Sequence, residues 1–240
     1  MGEFYDMGPV LASASEPGVP SLEVRRYVVG PIHTNCYAVV VDGEALVVDP
    51  GAEGAAVAAA LGELGASCKL VVATHGHADH VGGVAALVAA TGADYLIAEA
   101  DDDLARHAKR NHALGISYDA DAPAPTRHLA DGEELVLGEA RFRVIAVPGH
   151  TPGGVALLGH GLAEGLCFVG DTLFAGSAGR TDLEGGNMTM LMRSLARLAR
   201  EVPAGTYVLC GHGDDTTMAE ELAHNPYLSQ RNNPFVGEGA

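Results

Sequence analysis

The chain holds 240 residues, and 31 acidic against 14 basic side chains leave a formal charge of −17. That length suits one compact domain with a sizeable core, and an apolar share of 48% is too high for a disordered acidic chain. The charge repels phosphate backbones and argues against nucleic acid as a partner, while apolar runs that break within about ten residues argue against a membrane span. The opening Met1-Gly2-Glu3-Phe4-Tyr5-Asp6 has neither a basic start nor an apolar segment, so no secretory signal is expected. Cys36, Cys68, Cys167 and Cys210 lie far apart with no CxxC pair, and read as small core residues of a cytoplasmic protein.

Residues 1–21 carry Gly, Pro and Ser without hydrophobic periodicity and are expected to form a flexible tail before a single domain over 22–240. Val-rich strands are predicted over 22–29, 36–41 and 45–48, followed by an Ala-rich helix over 55–64 that Gly65 closes. A buried strand at 69–73 leads into Thr74-His75-Gly76-His77. A helix at 82–90, a strand at 95–98 and a helix at 101–111 come next, and a loop over about 114–127 divides the chain. The second half repeats the pattern. Strands are expected at 134–137, 141–147, 155–158, 167–169 and 207–210, with helices at 188–201 and 216–223. Strands come in runs with helices interspersed, which favours a layered α/β or α+β domain.

The chemistry concentrates in His75-Gly76-His77-Ala78-Asp79-His80, where four metal-capable side chains fall within six residues. At a strand end, residues two apart point the same way, so His75 and His77 can grip one ion. Asp79 and His80, beyond the turn, can face a second. The segment does not fit a helical HExxH site, since no Glu follows the first His. Three later apolar runs likewise empty into a polar residue: Pro148-Gly149-His150, Gly170-Asp171-Thr172 and Gly211-His212-Gly213. Four such ends point to convergence on one rim, with Gly letting the backbone approach an ion closely. His33, His107, His112, His128, His160 and His224 lack this context.

With these residues the chain resembles the metallo-β-lactamase fold family, over about residues 22–228. Its finer motifs resemble the small glyoxalase II-like branch: Gly30-Pro31-Ile32-His33-Thr34-Asn35-Cys36-Tyr37, Pro148-Gly149-His150-Thr151-Pro152-Gly153, Gly170-Asp171-Thr172-Leu173-Phe174, Gly179-Arg180-Thr181-Asp182 and Asn225-Pro226-Tyr227-Leu228. The resemblance implies a four-layer αββα sandwich with the site on the rim between two sheets. It implies two ions, one on His75, His77 and His150, the other on Asp79, His80 and His212, with Asp171 bridging. Asp49 matches a position that supports the metal loop without binding metal. Full-length glyoxalase II carries a helical extension that holds glutathione. Here 28 residues follow His212, with Arg231 their one Lys or Arg, so that extension is expected to be missing.

His and carboxylate donors suit zinc, with iron or manganese as alternatives. Two such ions would lower the pKa of a bridging water and direct hydroxide at a carbonyl carbon, with Asp79 orienting the nucleophile. A thiolate leaves unaided, because its conjugate acid has a pKa near 8.5, whereas an amine must be protonated. With no dedicated acid near the motifs, a small-molecule acyl thioester is the expected substrate. The alternatives are a mononuclear-iron persulfide dioxygenase and a lactonase or other small-ester hydrolase. Arg106, His107, Lys109, Arg110 and His112 form the one basic cluster and read as a solvated helix face. Arg180 and Asp182 are expected to form an internal ion pair, and Tyr37 to pack between the sheets.

Overall fold

The computed structural model describes residues 3–12, 20–110, 118 and 120–237. Its first half comprises β1 (Phe4–Ala12), β2 (Leu22–Val29), β3 (Thr34–Val41), β4 (Glu44–Val48), α1 (Gly54–Glu63), β5 (Ser67–Val72), α2 (Ala78–Val81), α3 (Val84–Thr91), β6 (Asp94–Ala98), α4 (Glu99–Arg106) and β7 (Arg127–Leu129). The seven strands form one sheet in sequential order. It is antiparallel from β1 to β4 and parallel from β4 to β7, where helices make the crossovers.

The second half contains β8 (Glu134–Leu137), β9 (Ala140–Ala146), β10 (Val155–Gly161), β11 (Leu166–Gly170), the small hairpin β12 (Leu173–Phe174) with β13 (Ser177–Ala178), α5 (Met188–Glu201), β14 (Tyr207–Cys210), β15 (Thr216–Thr217) and α6 (Met218–His224). Its main sheet runs in the order β15-β14-β11-β10-β9-β8.

The near-continuous apolar runs arise because both faces of each sheet are covered. Side chains alternate along a strand, and here the alternation sorts them between layers. Tyr37, Val39, Leu46, Val48, Phe142, Val144, Leu157 and Phe168 point inward and fill the space between the sheets. Their neighbours Ala38, Val47, Val71 and Ile97 point outward, against Val57, Leu61, Val84 and Leu87 of α1 and α3. On the far side, Ile145, Val147, Ala156 and Val169 meet Leu191, Leu195 and Leu198 of α5. Three apolar layers thus separate four structural ones, in the αββα order the resemblance implied. All four cysteines are free and buried. Tyr37 lies between the sheets as expected, its ring edge-on to Phe168 at 5.3 Å.

Phe168 also sits 5.9 Å from the Phe142 ring and is 1% exposed. Phe168→Ala is therefore expected to lower unfolding stability by about 3–5 kcal/mol, read from the urea midpoint at unchanged slope.

The structure corrects four local expectations. The tail predicted over 1–21 contains β1, paired with β2 through two register shifts around Pro9. An edge strand with mostly exposed side chains shows no hydrophobic alternation, and the open edge tolerates proline. The helix predicted to Asn111 ends at Arg106 and is followed by a 3-10 turn at Ala108–Arg110; Asn111 lies outside the described residues. So do residues 114–117 and 119 of the 114–127 loop, at whose end β7 forms. The final helix starts at Met218, since Thr216–Thr217 pairs as β15 and the Thr217 hydroxyl accepts from Glu220 N–H as an N-cap. Among the described residues no helix is long and apolar enough to cross a membrane.

Candidate metal centre

The rim follows from strand direction. β9 and β11 both run antiparallel to β10, and β14 runs parallel to β11. These three strands therefore end at one edge and deliver His150, Asp171 and His212 there. β5 of the other sheet delivers His75 and His77. The sheets are tied at this edge by Val155 N–H donating to Thr74 O at 2.8 Å and Asn35 N–H donating to Gly211 O at 2.8 Å. Asp79 and His80 lie on α2, a single helical turn that begins after His77. That turn was not predicted, because Gly82 and Gly83 follow it immediately.

All seven residues singled out in the sequence come together. His75 Nε2 lies 3.1 Å and His150 Nε2 2.9 Å from His77 Nδ1. His212 Nε2 lies 3.0 Å from Asp79 Oδ2, and His80 Nε2 3.3 Å from the same oxygen. Asp171 stands between the sets. Its Oδ1 is 3.3 Å from His80 Nε2, and its Oδ2 is 3.6 Å from both His150 Nε2 and His212 Nε2.

Hydrogen bonds on the far side of the rings assign their tautomers. Asp49, with φ 53°, holds the strand end in a left-handed turn that Asp tolerates. Its carboxylate accepts from Thr74 N–H, from the Thr74 hydroxyl at 2.6 Å, and from His80 Nδ1 at 2.9 Å. The Thr74 hydroxyl has spent its proton, so it accepts from His75 Nδ1 at 3.1 Å. His150 Nδ1 donates to the Arg180 carbonyl at 2.7 Å. The neutral forms of His75, His80 and His150 therefore all present an Nε2 lone pair to the site.

Electrostatics point the same way. Burial, then the neighbouring His150, pushes His77 down to about 4, and burial with His80 pushes His75 well below the usual imidazole value, so both are neutral imidazoles at pH 7. Burial opposes charge on His80, yet Asp171, Asp79 and Asp49 together push its pKa up. Burial likewise opposes ionisation of Asp79 and Asp171, and their His neighbours, led by His80, hold both below the usual carboxylate range. Carboxylates crowded around one buried imidazole create a field that favours added positive charge. Among the described residues, His80 Nε2 and Asp171 Oδ1 are both buried without a hydrogen-bond partner. His75, His77 and His150 form one group able to hold a metal ion, and Asp79, His80 and His212 another. The donor set fits two divalent ions.

A cavity of about 510 Å³ opens onto this floor, walled by Ile32, Tyr118, Phe174, Leu183 and Arg180. Arg180 and Asp182 do pair, at 2.7 and 2.8 Å, but their side chains are 46% and 68% exposed. The expected internal pair is thus a surface pair at the cavity rim, since the GRTD turn lies outside the sheets. In the basic cluster, Arg106 and Lys109 are exposed, His107 and Arg110 line a separate groove with Asp103 and Glu184, and His112 lies outside the described residues. Sequence reasoning missed Thr74 and Asp101. Thr74 looks like any strand-end residue, and Asp101 sits in an acidic run that reads as a solvated helix face.

The sequence matches the Metallo-beta-lactamase superfamily across residues 29–212. It is 31% identical to hydroxyacylglutathione hydrolase GloC of Haemophilus influenzae, over 78% of this chain and 88% of that protein. The hydroxyacylglutathione hydrolase of Xanthomonas axonopodis pv. citri is 38% identical over 72% of this chain, which spans 58% of that longer relative. Among solved structures, TTHA1623 in a di-iron-bound form superposes with a TM-score of 0.74 at 36% identity, covering 83% of this chain and 97% of that one. The chain belongs to the metallo-β-lactamase superfamily. Its fold and its paired His/Asp groups define it as a metal-dependent hydrolase of that superfamily.

Proposed function

We propose that this protein hydrolyses acyl thioesters of small thiol carriers at a dinuclear zinc site. In this reading His75, His77 and His150 hold one ion, Asp79, His80 and His212 the other, and Asp171 serves both. The observation that carries the reading is Asp171, a half-buried carboxylate within 3.6 Å of ring nitrogens from both sets. The bound ions would supply Lewis acidity for the carbonyl oxygen and lower the pKa of a shared water toward neutrality.

The chain's own groups supply the rest. Asp79 lines the cavity, is held ionised, and can orient the attacking water and accept its proton. Ile32, Phe174 and Leu183 offer an apolar wall for the acyl and carrier carbons and keep bulk water from the reacting atoms. A thiolate leaving group asks for no proton donor, which accords with a cavity whose titratable side chains are mostly engaged with one another. The similarity to hydroxyacylglutathione hydrolases supports a 2-hydroxyacyl thioester as the first substrate to try.

The test combines metal analysis of the purified protein with thioester-cleavage and oxygen-consumption assays. About two zinc ions per chain with thioester turnover is the expected result. One iron per chain with persulfide-dependent oxygen uptake would replace this reading with a persulfide dioxygenase, and lactone turnover without thioester turnover would replace it with a lactonase. Asp79→Asn keeps an acceptor oxygen but loses the charge. It is expected to retain part of the metal while kcat falls about 10²–10⁴-fold.

A further inference from the structure

Asp101 lies in the first turn of α4 and is fully buried, although charged side chains are almost never so placed unless paired. Among the described residues no cationic side chain pairs with it. Its Oδ2 accepts from Gly76 N–H at 2.8 Å and its Oδ1 from Gly153 N–H at 2.6 Å. Gly76 is the residue between His75 and His77, and Gly153 closes the loop that carries His150. One carboxylate therefore ties together the two loops that present three histidines.

The packing is equally close. A Cβ on Gly76 would lie 2.7 Å from Asp101 O, and a Cβ on Gly153 would lie 2.7 Å from Asp101 Cγ. The two glycines are the space into which Asp101 fits. The His77 side chain makes no hydrogen bond to any group beyond His75 and His150 among the described residues, so its position depends on its backbone, held on one side by Gly76 and on the other by the His80 and Val81 N–H groups that donate to His77 O. The other set is anchored elsewhere: His80 through Asp49, Asp79 beside the Thr34 hydroxyl at 3.4 Å, and the His212 loop through Asn35.

We propose that Asp101 is a positioning residue for the three-histidine ion alone, fixing the distance between the His75/His77 loop and the His150 loop before metal arrives. This rests on the dinuclear reading above.

Asp101→Asn is the direct test, because the amide keeps the shape but offers one acceptor oxygen to two N–H donors. Zinc is titrated into the full-length, metal-free chain against a competing chelator, with Co²⁺ absorption to assign the sites. One of the two affinities is expected to fall about 10–100-fold, with the other unchanged. Leu195→Ala, in the core beneath α5, should lower the melting temperature and leave both affinities alone. In the metal-free wild-type chain the Gly76 and Gly153 amides should remain protected from hydrogen exchange, a measurement that stands even if the variant does not fold.

Equal affinities in variant and wild type, a parallel loss at both sites, or unprotected amides in the metal-free wild type would each overturn the proposal. A wild-type chain that binds no zinc at the three histidines refutes the dinuclear reading first and takes this proposal with it. The variant and exchange results bear on Asp101 alone.

Discussion

His77→Ala should abolish turnover and empty the three-histidine set while leaving the fold intact. The His77 side chain lines the cavity floor, and its Nδ1 lies within 3.1 Å of the facing nitrogens of both His75 and His150. Removing it deletes the side chain common to both contacts. The several kcal/mol that metal Lewis acidity contributes to a hydrolytic transition state corresponds to at least about 10³-fold in rate. His77 precedes α2 but makes no side-chain cap bond, so alanine removes no capping interaction. The expected record is bound metal falling from about two ions per chain toward one, kcat below detection, and an unchanged far-UV circular dichroism spectrum. Retention of both metal and turnover would refute the assignment of this site.

Gly211→Ala is the second large effect, and it acts by a different route. Gly211 does not have a positive φ, so its backbone conformation alone does not reject alanine. The obstacle is space. A Cβ there would overlap Asp171 Oδ1 and lie 2.7 Å from His80 Cε1. Neither the backbone nor those side chains can easily retreat. Gly211 N–H donates to Gly170 O at 2.9 Å, Gly211 O accepts from Asn35 N–H, and His80 is fixed by Asp49.

Overpacking of this kind costs about 1–3 kcal/mol of stability. Displacement of Asp171 and His80 is expected to lower zinc affinity and kcat/KM by about 10–100-fold. Gly213→Ala separates strain from crowding. That residue has φ 70° and nothing near its Cβ position. Alanine there should cost stability through the backbone alone and leave zinc affinity unchanged. If Gly211→Ala binds zinc as tightly as wild type, the crowding argument fails.

The legible part of this protein was the part written locally. Asp79 and His80 follow His75 and His77 in one short stretch, and strand runs ending in Gly next to His150, Asp171 and His212 are visible without any knowledge of pairing. The β2 to β4 region and α5 could be bounded closely, because apolar side chains buried in a layered sheet or along one helix face leave strong patterns. β1 was illegible for the opposite reason: an exposed edge strand with Pro9 carries no alternation. The single turn of α2 was also hidden, since one turn is too short to show a period.

Sequence by itself determined the donor types, their grouping into one dense run and three outlying strand ends, and the acidic charge that disfavours phosphate-backbone partners. Tertiary structure alone decided what those side chains can do. Whether His75, His80 and His150 offer a lone pair or a proton depends on what their far nitrogens touch, and those partners, Thr74, Asp49 and the Arg180 carbonyl, lie up to 31 residues away. The roles of Asp101 and Gly211 are likewise products of close packing between distant loops. A residue type states which atoms it can donate or accept; only the three-dimensional contacts state which of them remain free.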